Sequence, residues 1–231
     1  MKRAWKLLRY VLGATALAFV IVQLWFYGHI LYWAKYPVGS TRFMEARLAA
    51  LQVKNSKARL AYRWTDYPRI SANLKRAVVA AEDDKFIDHE GFDWEGIQRA
   101  IEKNDKKGKA VAGGSTITQQ LAKNLFLSGE RSYVRKAEEA IITLMLESTL
   151  SKRRILEIYL NVAEWGNGIF GAEAAARHYY GVSAVQLNAW QAARLAAMLP
   201  RPQFYHRNPS SAYLARYSER ILARMNHAQV P

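Results

Sequence analysis

The feature that most constrains this sequence is a long uncharged stretch close to its N-terminus. Residues 10–33 contain no Lys, Arg, Asp or Glu. As an α-helix they would rise about 1.5 Å per residue, which exceeds the roughly 30 Å hydrocarbon core of a bilayer. We therefore predict a transmembrane helix over residues 10–33, preceded by a basic tail at residues 1–9 and followed by a folded domain over residues 34–231.

The charges around this stretch predict its orientation. Four basic residues and no acidic residue precede it, and such a flank stays in the cytoplasm under the positive-inside rule. We expect the folded domain to lie on the opposite side of the membrane. A cleaved signal peptide is the alternative, because small residues occur within the stretch, but the apolar run is longer than the usual core of a signal peptide.

The composition limits the kinds of molecule that this protein could bind. The formal net charge is +15, which suits nucleic acid, an anionic membrane surface or a phosphorylated substrate. A domain outside the cytoplasm seldom meets nucleic acid, so we expect none as a partner. The sequence contains no cysteine, which excludes disulfide bonds, a thiol nucleophile and thiolate metal ligands.

Helical periodicity predicts a mainly α-helical domain with almost no strand pattern. Ser71 is a candidate N-cap for a helix whose apolar residues recur at helical spacing up to Ala81. Glu82 follows that stripe at the edge of the core, where partial desolvation raises a carboxyl pKa toward that of a useful base. Residues 102–114 are rich in Lys and Gly and predict a loop.

Residues 113–124 form a polar run that opens at a glycine pair. Ser115 or Thr116 would cap a helix at whose N-terminus free N–H groups favour anions. Its apolar side would face inward, and three polar residues would share another face. The apolar residues are Ile117, Leu121 and Leu125, and the polar ones are Gln120, Lys123 and Asn124.

A further helix is predicted over residues 132–150. Its expected inward residues are Val134, Ala137, Ile141, Leu144 and Met145, and the expected polar face carries Arg135, Lys136, Glu139 and Thr143. The cations beside Glu139 suit a salt-bridge cluster within one helix. With Arg131 they outnumber that one acid, and the surplus could hold a pyrophosphate directly or with a divalent cation.

Each of these features also has a plain structural interpretation. The carboxylates of residues 82–90 could form a solvated helix end, and Gln119 and Gln120 could cap neighbouring backbone. Lys123 could be an exposed helix lysine. As a block, however, side-chain amides suit sugar hydroxyls and phosphate oxygens, while lysine supplies a point charge.

Five segments together resemble the motifs of the peptidoglycan glycosyltransferases, glycosyltransferase family 51. In order these segments are residues 82–91, 114–124, 131–139, 151–161 and 195–202. Residues 161–166 look most like the monofunctional branch of that family. With Pro231 as its last residue, we expect the chain to lack the transpeptidase domain of the larger bifunctional relatives.

The resemblance implies a lysozyme-like fold in a bacterial inner-membrane enzyme that polymerises lipid II into glycan strands. The acceptor's 4-hydroxyl would attack the anomeric carbon of a donor linked to polyprenyl pyrophosphate, with inversion to a β-1,4 bond. By similarity Glu82 is the general base. Glu139 would orient the cations, hold Mg²⁺ or Mn²⁺, or stabilise positive charge on the sugar.

The resemblance also implies the remaining site residues and partners. Asp83 would orient Glu82 and nearby backbone. Donor-cleft residues by similarity are Ser115, Gln119, Gln120 and Asn124, and phosphate-binding residues are Lys123, Arg131, Arg135, Lys136 and Lys152. We expect no organic cofactor. Expected partners are lipid II, the lipid-linked glycan, the membrane and proteins of cell-wall synthesis.

Two other functions remain open at this point. A muramidase on a similar fold would cleave glycan strands with water as acceptor and would not need the cations. A non-catalytic membrane scaffold would bind lipid-linked precursors without turnover. Trp64, Phe92 and Trp94 could contact the bilayer, or they could belong to the core.

Overall fold

The computed structural model of the protein describes residues 2–109, 113–127 and 132–231, and helices dominate these residues. In chain order the helices are α1 (Lys2–Trp33), α2 (Arg42–Gln52), α3 (Ala72–Glu82), α4 (Trp94–Lys107), α5 (Ile117–Phe126), α6 (Tyr133–Thr149), α7 (Lys152–Val162), α8 (Ala172–Tyr180), α9 (Ala189–Met198), α10 (Pro202–Arg207) and α11 (Ala212–Arg224). The strands are β1 (Ala61–Tyr62), β2 (Glu164–Gly166) and β3 (Ile169–Phe170). The prediction of a mainly α-helical chain is confirmed.

The N-terminal helix α1 is continuous from Lys2 to Trp33. In the described part of the chain it is the one helix that is long and apolar enough to cross a membrane, judged by length and composition. The basic residues that precede the apolar stretch lie on the same helix. The predicted boundary between residues 9 and 10 is therefore a change of charge and not a break in the helix.

The last turns of α1 pack against the rest of the protein. Phe26 and Trp33 are buried, and their rings lie 4.8 Å and 5.3 Å from that of Phe126 at the end of α5. The Gln23 amide Nε2 donates to Glu138 Oε1 on α6 at 2.7 Å. The C-terminal part of α1 thus packs against α5, the helix that follows the glycine pair, and against α6, the helix that carries the predicted cations.

The core of the domain lies around α3. This helix packs against α9 and α11, while α5 packs against α2, α6 and α7. Ser71 caps α3 by accepting from the Asn73 N–H, as predicted. Leu74 and Val78 are fully buried, so the predicted apolar stripe is the face that joins the core.

A small sheet that the sequence did not predict joins two distant segments. Its order is β1-β3-β2, with β1 parallel and β2 antiparallel to β3. Ala61 lies opposite Ile169, and an irregular register separates Glu164 from Gly166. Two- and three-residue strands are too short to show alternation in the sequence.

The predicted loop over residues 102–114 is wrong for its first half. Helix α4 continues to Lys107 and ends at Gly108, which has a left-handed φ of 61°. Asp93 caps the start of α4, and the last turn carries Lys106 and Lys107, where cations favour the helix dipole. These terminal signals outweigh the weak apolar periodicity between them.

The three aromatic residues that the sequence offers for contact with the bilayer or the core differ in exposure. Trp94 is 71% exposed and stacks on Phe92 with ring centroids 5.5 Å apart. A core position is therefore wrong for Trp94. Trp64 and Phe92 are half-buried, and the Arg154 guanidinium lies 5.2 Å from the Trp64 ring.

The predicted inward face of α6 is also wrong. Val134 is 80% exposed and Leu144 is 56% exposed, whereas Glu139 is buried. The described side chains that α6 buries are Glu139, Ile142, Thr143 and Leu146. Ion pairs let a polar face turn inward, so the apolar stripe of this helix is left outward.

Asn161 at the end of α7 fixes the segment between β1 and α3. Its side-chain Oδ1 accepts from the Thr65 N–H at 2.8 Å, and Nδ2 donates to the Thr65 carbonyl at 2.9 Å. Asn161 is fully buried. The Asn161 side chain therefore pairs with both backbone groups of Thr65, as a neighbouring strand would, although the two residues are 96 positions apart.

We predict that Asn161→Ala lowers the free energy of unfolding by about 2–4 kcal/mol, because it leaves buried Thr65 groups unpaired at about 1–3 kcal/mol each. Denaturant unfolding of the purified chain measures this change. The control Asn226→Ala removes an exposed side chain and should stay within about 0.5 kcal/mol. Equal stability of both variants would contradict a stabilising role for the hydrogen bonds between Asn161 and Thr65.

Candidate active site

Glu82 is the last residue of α3 and is half-buried. Its Oε2 accepts from Gln120 Nε2 at 2.8 Å, and the Oε1 of that amide accepts from the Tyr159 hydroxyl at 2.9 Å. Burial raises the pKa of Tyr159 well above its ordinary value, so the phenol keeps the proton that it donates. The three side chains form one hydrogen-bonded chain that leads from α7 through α5 to α3.

The environment of Glu82 favours its protonated form relative to a free side chain. Burial raises the Glu82 pKa, and the neighbouring Asp83 charge raises it further. The Gln120 hydrogen bond and the Lys123 charge act in the opposite direction, but the net shift is upward. A carboxylate with a raised pKa is a stronger base, which suits proton abstraction.

Asp83 serves the scaffold of the site. Its Oδ2 accepts from the Ile117 N–H at 2.9 Å, and its Oδ1 lies 2.9 Å from His89 Nε2. The Gly91 N–H donates to His89 Nδ1, so the ring proton is on Nε2 and points at Asp83. Because both Asp83 oxygens are engaged within the protein, the predicted orienting role fits the geometry and direct substrate contact does not.

Gly91 closes this loop against α6. Its φ is 88°, and a Cβ there would lie 2.6 Å from Thr143 Cγ2. Its carbonyl accepts from Thr116 Oγ1 at 2.7 Å. Glycine is therefore required at this position both for the backbone conformation and for the close approach of α6.

Two predicted donor-cleft residues at the start of α5, Ser115 and Gln119, have different surroundings. Thr116 is the N-cap, and Gln119 forms a reciprocal capping box with it. Gln119 is buried, so its amide caps backbone and does not face the cleft, contrary to the prediction. Ser115 is exposed and lines a cavity of about 150 Å³ together with Glu82.

A larger cavity of about 410 Å³ contacts the polar face of α5. Gln120, Lys123 and Asn124 line it, as the helical spacing predicts, while Ile117, Leu121 and Leu125 are buried on the other side. Its other described lining residues are Phe43, Arg47, Tyr159, Ala163, Glu164, Leu199, Pro200, Arg201, Pro202, Gln203, Phe204 and Arg207. Residues 199–202 belong to the fifth motif and Tyr159 to the fourth, whereas Phe43, Arg47, Gln203, Phe204 and Arg207 lie outside the segments that the sequence connected with the site.

Helix α6 holds the predicted cationic cluster. Arg135 Nη1 lies 2.6 Å from Glu139 Oε2, and Lys136 Nζ pairs with Glu139 Oε1. Burial lowers the pKa of Lys123, with Glu139 and Glu82 acting to raise it and Arg135 and Lys136 to lower it. The ammonium of Lys123 therefore lies within the field of both acids and of the α6 cations.

One donor in this cluster has no partner. Arg135 Nε is buried and makes no hydrogen bond to the described protein atoms. Leaving a buried charged donor unpaired is unfavourable. A surplus of cations over one acid, with an unpaired N–H among them, is suited to an anionic ligand such as a phosphate.

The residues of this site do not form a protein-built metal centre. Both oxygens of Glu139 already bind cations, and no group of three or more His, Cys, Asp or Glu able to hold a metal occurs among the described residues. A divalent cation placed here would take its ligands mainly from substrate and water.

Lys152, a predicted phosphate-binding residue, is paired outside this cluster. Lys152 Nζ pairs with Glu147 Oε1 at 2.8 Å and donates to the His89 carbonyl. Like Arg135 and Lys136, it does not line the 410 Å³ cavity, and its ammonium is already paired within the protein. Arg131 lies outside the described residues.

Sequence reasoning missed several residues of the cavity. Tyr159 lies within the fourth motif, where a tyrosine in an apolar helix is typical of a core position. Arg47 Nε pairs with Glu164 Oε1 at 2.7 Å across the cleft. These two residues are 117 positions apart, and no local pattern signals such a pair.

The fold and this site agree with comparisons to known proteins. Residues 49–226 match the family model described as Transglycosylase. The chain therefore belongs to the transglycosylase family, an enzyme class of lysozyme-like fold whose activity is glycosyl transfer.

Individual relatives within this family share more than half of their residues with this chain. The chain is 60% identical to the biosynthetic peptidoglycan transglycosylase of Janthinobacterium sp. (strain Marseille) over the full length of both. It is 62% identical to that of Dechloromonas aromatica (strain RCB) over 96% of this chain and 95% of the relative. The identity to the protein of the same name from Azoarcus sp. (strain BH72) is 58% over both full lengths.

We predict that Gln120→Leu raises the pKa of Glu82, because it removes the hydrogen bond that stabilises the ionised carboxylate. Carbon-13 NMR titration of labelled glutamate side chains measures this shift. The control Gln98→Leu changes a glutamine whose partner is the exposed Glu102 and should leave Glu82 unchanged. A Glu82 titration that is the same in both variants would contradict the assigned contact.

Proposed function

We propose that this chain polymerises lipid II into β-1,4-linked peptidoglycan glycan strands and releases polyprenyl pyrophosphate. The observation that carries the proposal is a half-buried carboxylate of raised pKa, Glu82, next to a cleft with surplus cations. The printed names of the relatives, at 58–62% identity, support the same activity.

The cations account for the departure of the leaving group. Lys123, Arg135 and Lys136 would bind the donor's pyrophosphate, and the unpaired Arg135 Nε–H supplies a further donor. When the bond from the anomeric carbon to the pyrophosphate oxygen breaks, the electron pair leaves with that oxygen. Fixed positive charge stabilises it there, so no acid is needed, unlike in hydrolysis of an ordinary glycoside.

Glu82 accounts for the acceptor. Its carboxylate would accept the proton of the 4-hydroxyl of the acceptor GlcNAc while that oxygen bonds to the anomeric carbon. Attack from the face opposite the pyrophosphate converts the α linkage to a β-1,4 bond. Tyr159 and Gln120 would hold the carboxylate in place, because their hydrogen bonds leave it one defined orientation.

Glu139 is best assigned to ordering the cations. Of the three roles that the resemblance allows, holding Arg135 and Lys136 is the one its contacts favour. This role also lowers the mutual repulsion of the cations before the donor arrives. Mg²⁺ or Mn²⁺ remains a prediction, as an ion brought to the cleft by the substrate's phosphates.

The apolar helix α1 supports a membrane location. We propose a single-pass inner-membrane protein with its N-terminus in the cytoplasm and its catalytic domain in the periplasm. Both substrates carry a polyprenyl chain, so a membrane anchor raises their effective concentration. Exposed Trp94 is suited to contact with the bilayer interface, and cell-wall synthesis proteins remain predicted partners.

We predict that Glu82→Gln lowers polymerisation of lipid II by at least ~100-fold, the scale of general-base catalysis, and leaves lipid II binding intact. The measurements are gel analysis of glycan strands and a separate binding titration. The control Glu219→Gln, an exposed residue of α11, should retain activity.

The same assay separates the alternatives. Digestion of preformed strands without polymer formation would indicate a muramidase, and binding without turnover in the unsubstituted chain would indicate a scaffold. Full activity of Glu82→Gln would remove Glu82 from the role of base.

We predict that polymerisation falls as the pH drops through the pKa of Glu82, because the base must be ionised to accept a proton. Burial places that pKa above the ordinary value of 4.5, so the acid limb of kcat/KM lies on the neutral side of it. Initial rates across a pH series measure the limb. A profile that stays flat down to about pH 4 would contradict the assignment.

A further inference from the structure

A second cavity continues the cleft beyond α10. It has a volume of about 510 Å³ and shares Phe204 and Arg207 with the 410 Å³ cavity. Its remaining described lining consists of Asn208, Pro209, Ser210 and Ser211. We call this second cavity the outer groove. The two cavities lie in series, so the path from Lys123 does not end at α10.

The charge along this path is positive. Glu164 is the one acidic residue among the described linings of both cavities, and Arg47 pairs with it. Arg207 is exposed, and its guanidinium has no hydrogen bond or ion pair to the side chains or backbone of the described residues. The Arg201 guanidinium lies 4.4 Å from the Phe204 ring and pairs with no described acid. Both guanidinium groups are available for a carboxylate.

The walls of the outer groove are held in place. The Tyr179 hydroxyl lies 2.9 Å from His206 Nδ1 on α10 and 3.0 Å from the Trp165 carbonyl. An Arg194 guanidinium N–H donates to the Pro209 carbonyl. Pro202 opens α10, where the missing N–H of proline is tolerated. A preorganised wall loses little freedom when a ligand binds.

We propose that the outer groove binds the part of a peptide-bearing glycan strand that extends beyond the reacting sugar, with Arg207 binding a carboxylate of the strand. This proposal rests on the proposed function, since it extends the donor path of the same cleft. Ser210 and Ser211 offer hydroxyls to the sugar, while Arg207 offers two parallel donors to an acid.

The consequence concerns strand growth. A site outside the reacting centre holds a growing strand after each transfer, while a single lipid II molecule leaves that site empty. Charge at the outer groove should therefore affect binding of strands and the length of the product more than binding of monomeric lipid II.

The experiment compares Arg207→Glu with Arg216→Glu, which makes the same charge change on an exposed residue of α11. Each is combined with Glu82→Gln, so that binding of preformed uncrosslinked strands is measured without turnover. We expect Arg207→Glu to weaken strand binding about three- to tenfold, the scale of an exposed ion pair and its reversal. Arg207→Lys should recover part of this loss, and Arg216→Glu should match the parent.

A second arm changes the ligand. Strands whose stem-peptide carboxylates are amidated should bind the Arg207→Glu protein and its parent equally. Equal binding of unmodified strands by Arg207→Glu and Arg216→Glu would overturn the proposal, and so would a loss that persists with amidated strands.

The outcomes also separate this inference from the proposed function. Strand binding that depends on Arg207, in a chain that does not polymerise lipid II, would support the outer groove and reject the polymerase. Normal polymerisation together with strand binding that is unchanged in Arg207→Glu would support the polymerase and reject the outer groove.

Discussion

The site depends on the bridge that Asp83 makes between two helices. Asp83 is the C-cap of α3 and accepts from the first N–H of α5, at Ile117. Hydrogen bonds to a charged acceptor contribute about 1.5–3 kcal/mol each, and the positive end of α5 adds to the attraction. Glu82 is the neighbour of Asp83, so the same bridge fixes the distance from Glu82 to Gln120 and Lys123. The carboxylate that holds the scaffold and the carboxylate suited to catalysis are thus consecutive, and their hydrogen-bond partners divide the roles.

The apolar helix α1 packs against the two helices that carry the cations of the site. The aromatic contact of Phe126 with Phe26 and Trp33 joins α1 to the end of α5, and the hydrogen bond from Gln23 to Glu138 joins it to α6. Both helices that carry the cations therefore pack against α1, the proposed membrane anchor. A pyrophosphate attached to a polyprenyl chain lies at the surface of a bilayer, so cations held near the anchor would meet it there.

Much of this could be predicted from the sequence where one local pattern determined the outcome. The stripe that ends before Glu82 placed that carboxylate correctly, and helical spacing placed Gln120, Lys123 and Asn124 on one face. Gln119 was predicted to line the donor cleft, and that prediction does not fit the structure. The pattern from Thr116 to Gln119 is that of a capping box, in which the Gln119 amide binds the backbone at the start of α5.

Other features depend on contacts that no local pattern contains. The inward face of α6 was predicted wrongly at Val134 and Leu144, which are exposed, and at Glu139, which is buried. Burial of Glu139 depends on its pairing with Arg135 and Lys136, and periodicity counts such residues as exposed. The pair of Arg47 and Glu164 joins α2 to β2. The sequence therefore predicts helices and the residues at their termini, while the walls of the cleft follow from tertiary packing.

If the chain acts as proposed, the electrostatics of the cleft must allow it both to bind the pyrophosphate of the donor and to release it as product. Burial lowers the pKa of Lys123, whereas an approaching anion would raise it. Binding of pyrophosphate and full protonation of Lys123 therefore favour each other. Glu139 limits this attraction, because it already neutralises part of the charge on Arg135 and Lys136. A cleft with the same cations and no buried acid would bind the pyrophosphate product more tightly and release it more slowly. The acid within the cationic cluster thus favours turnover, which requires that the leaving group be stabilised during transfer and then released.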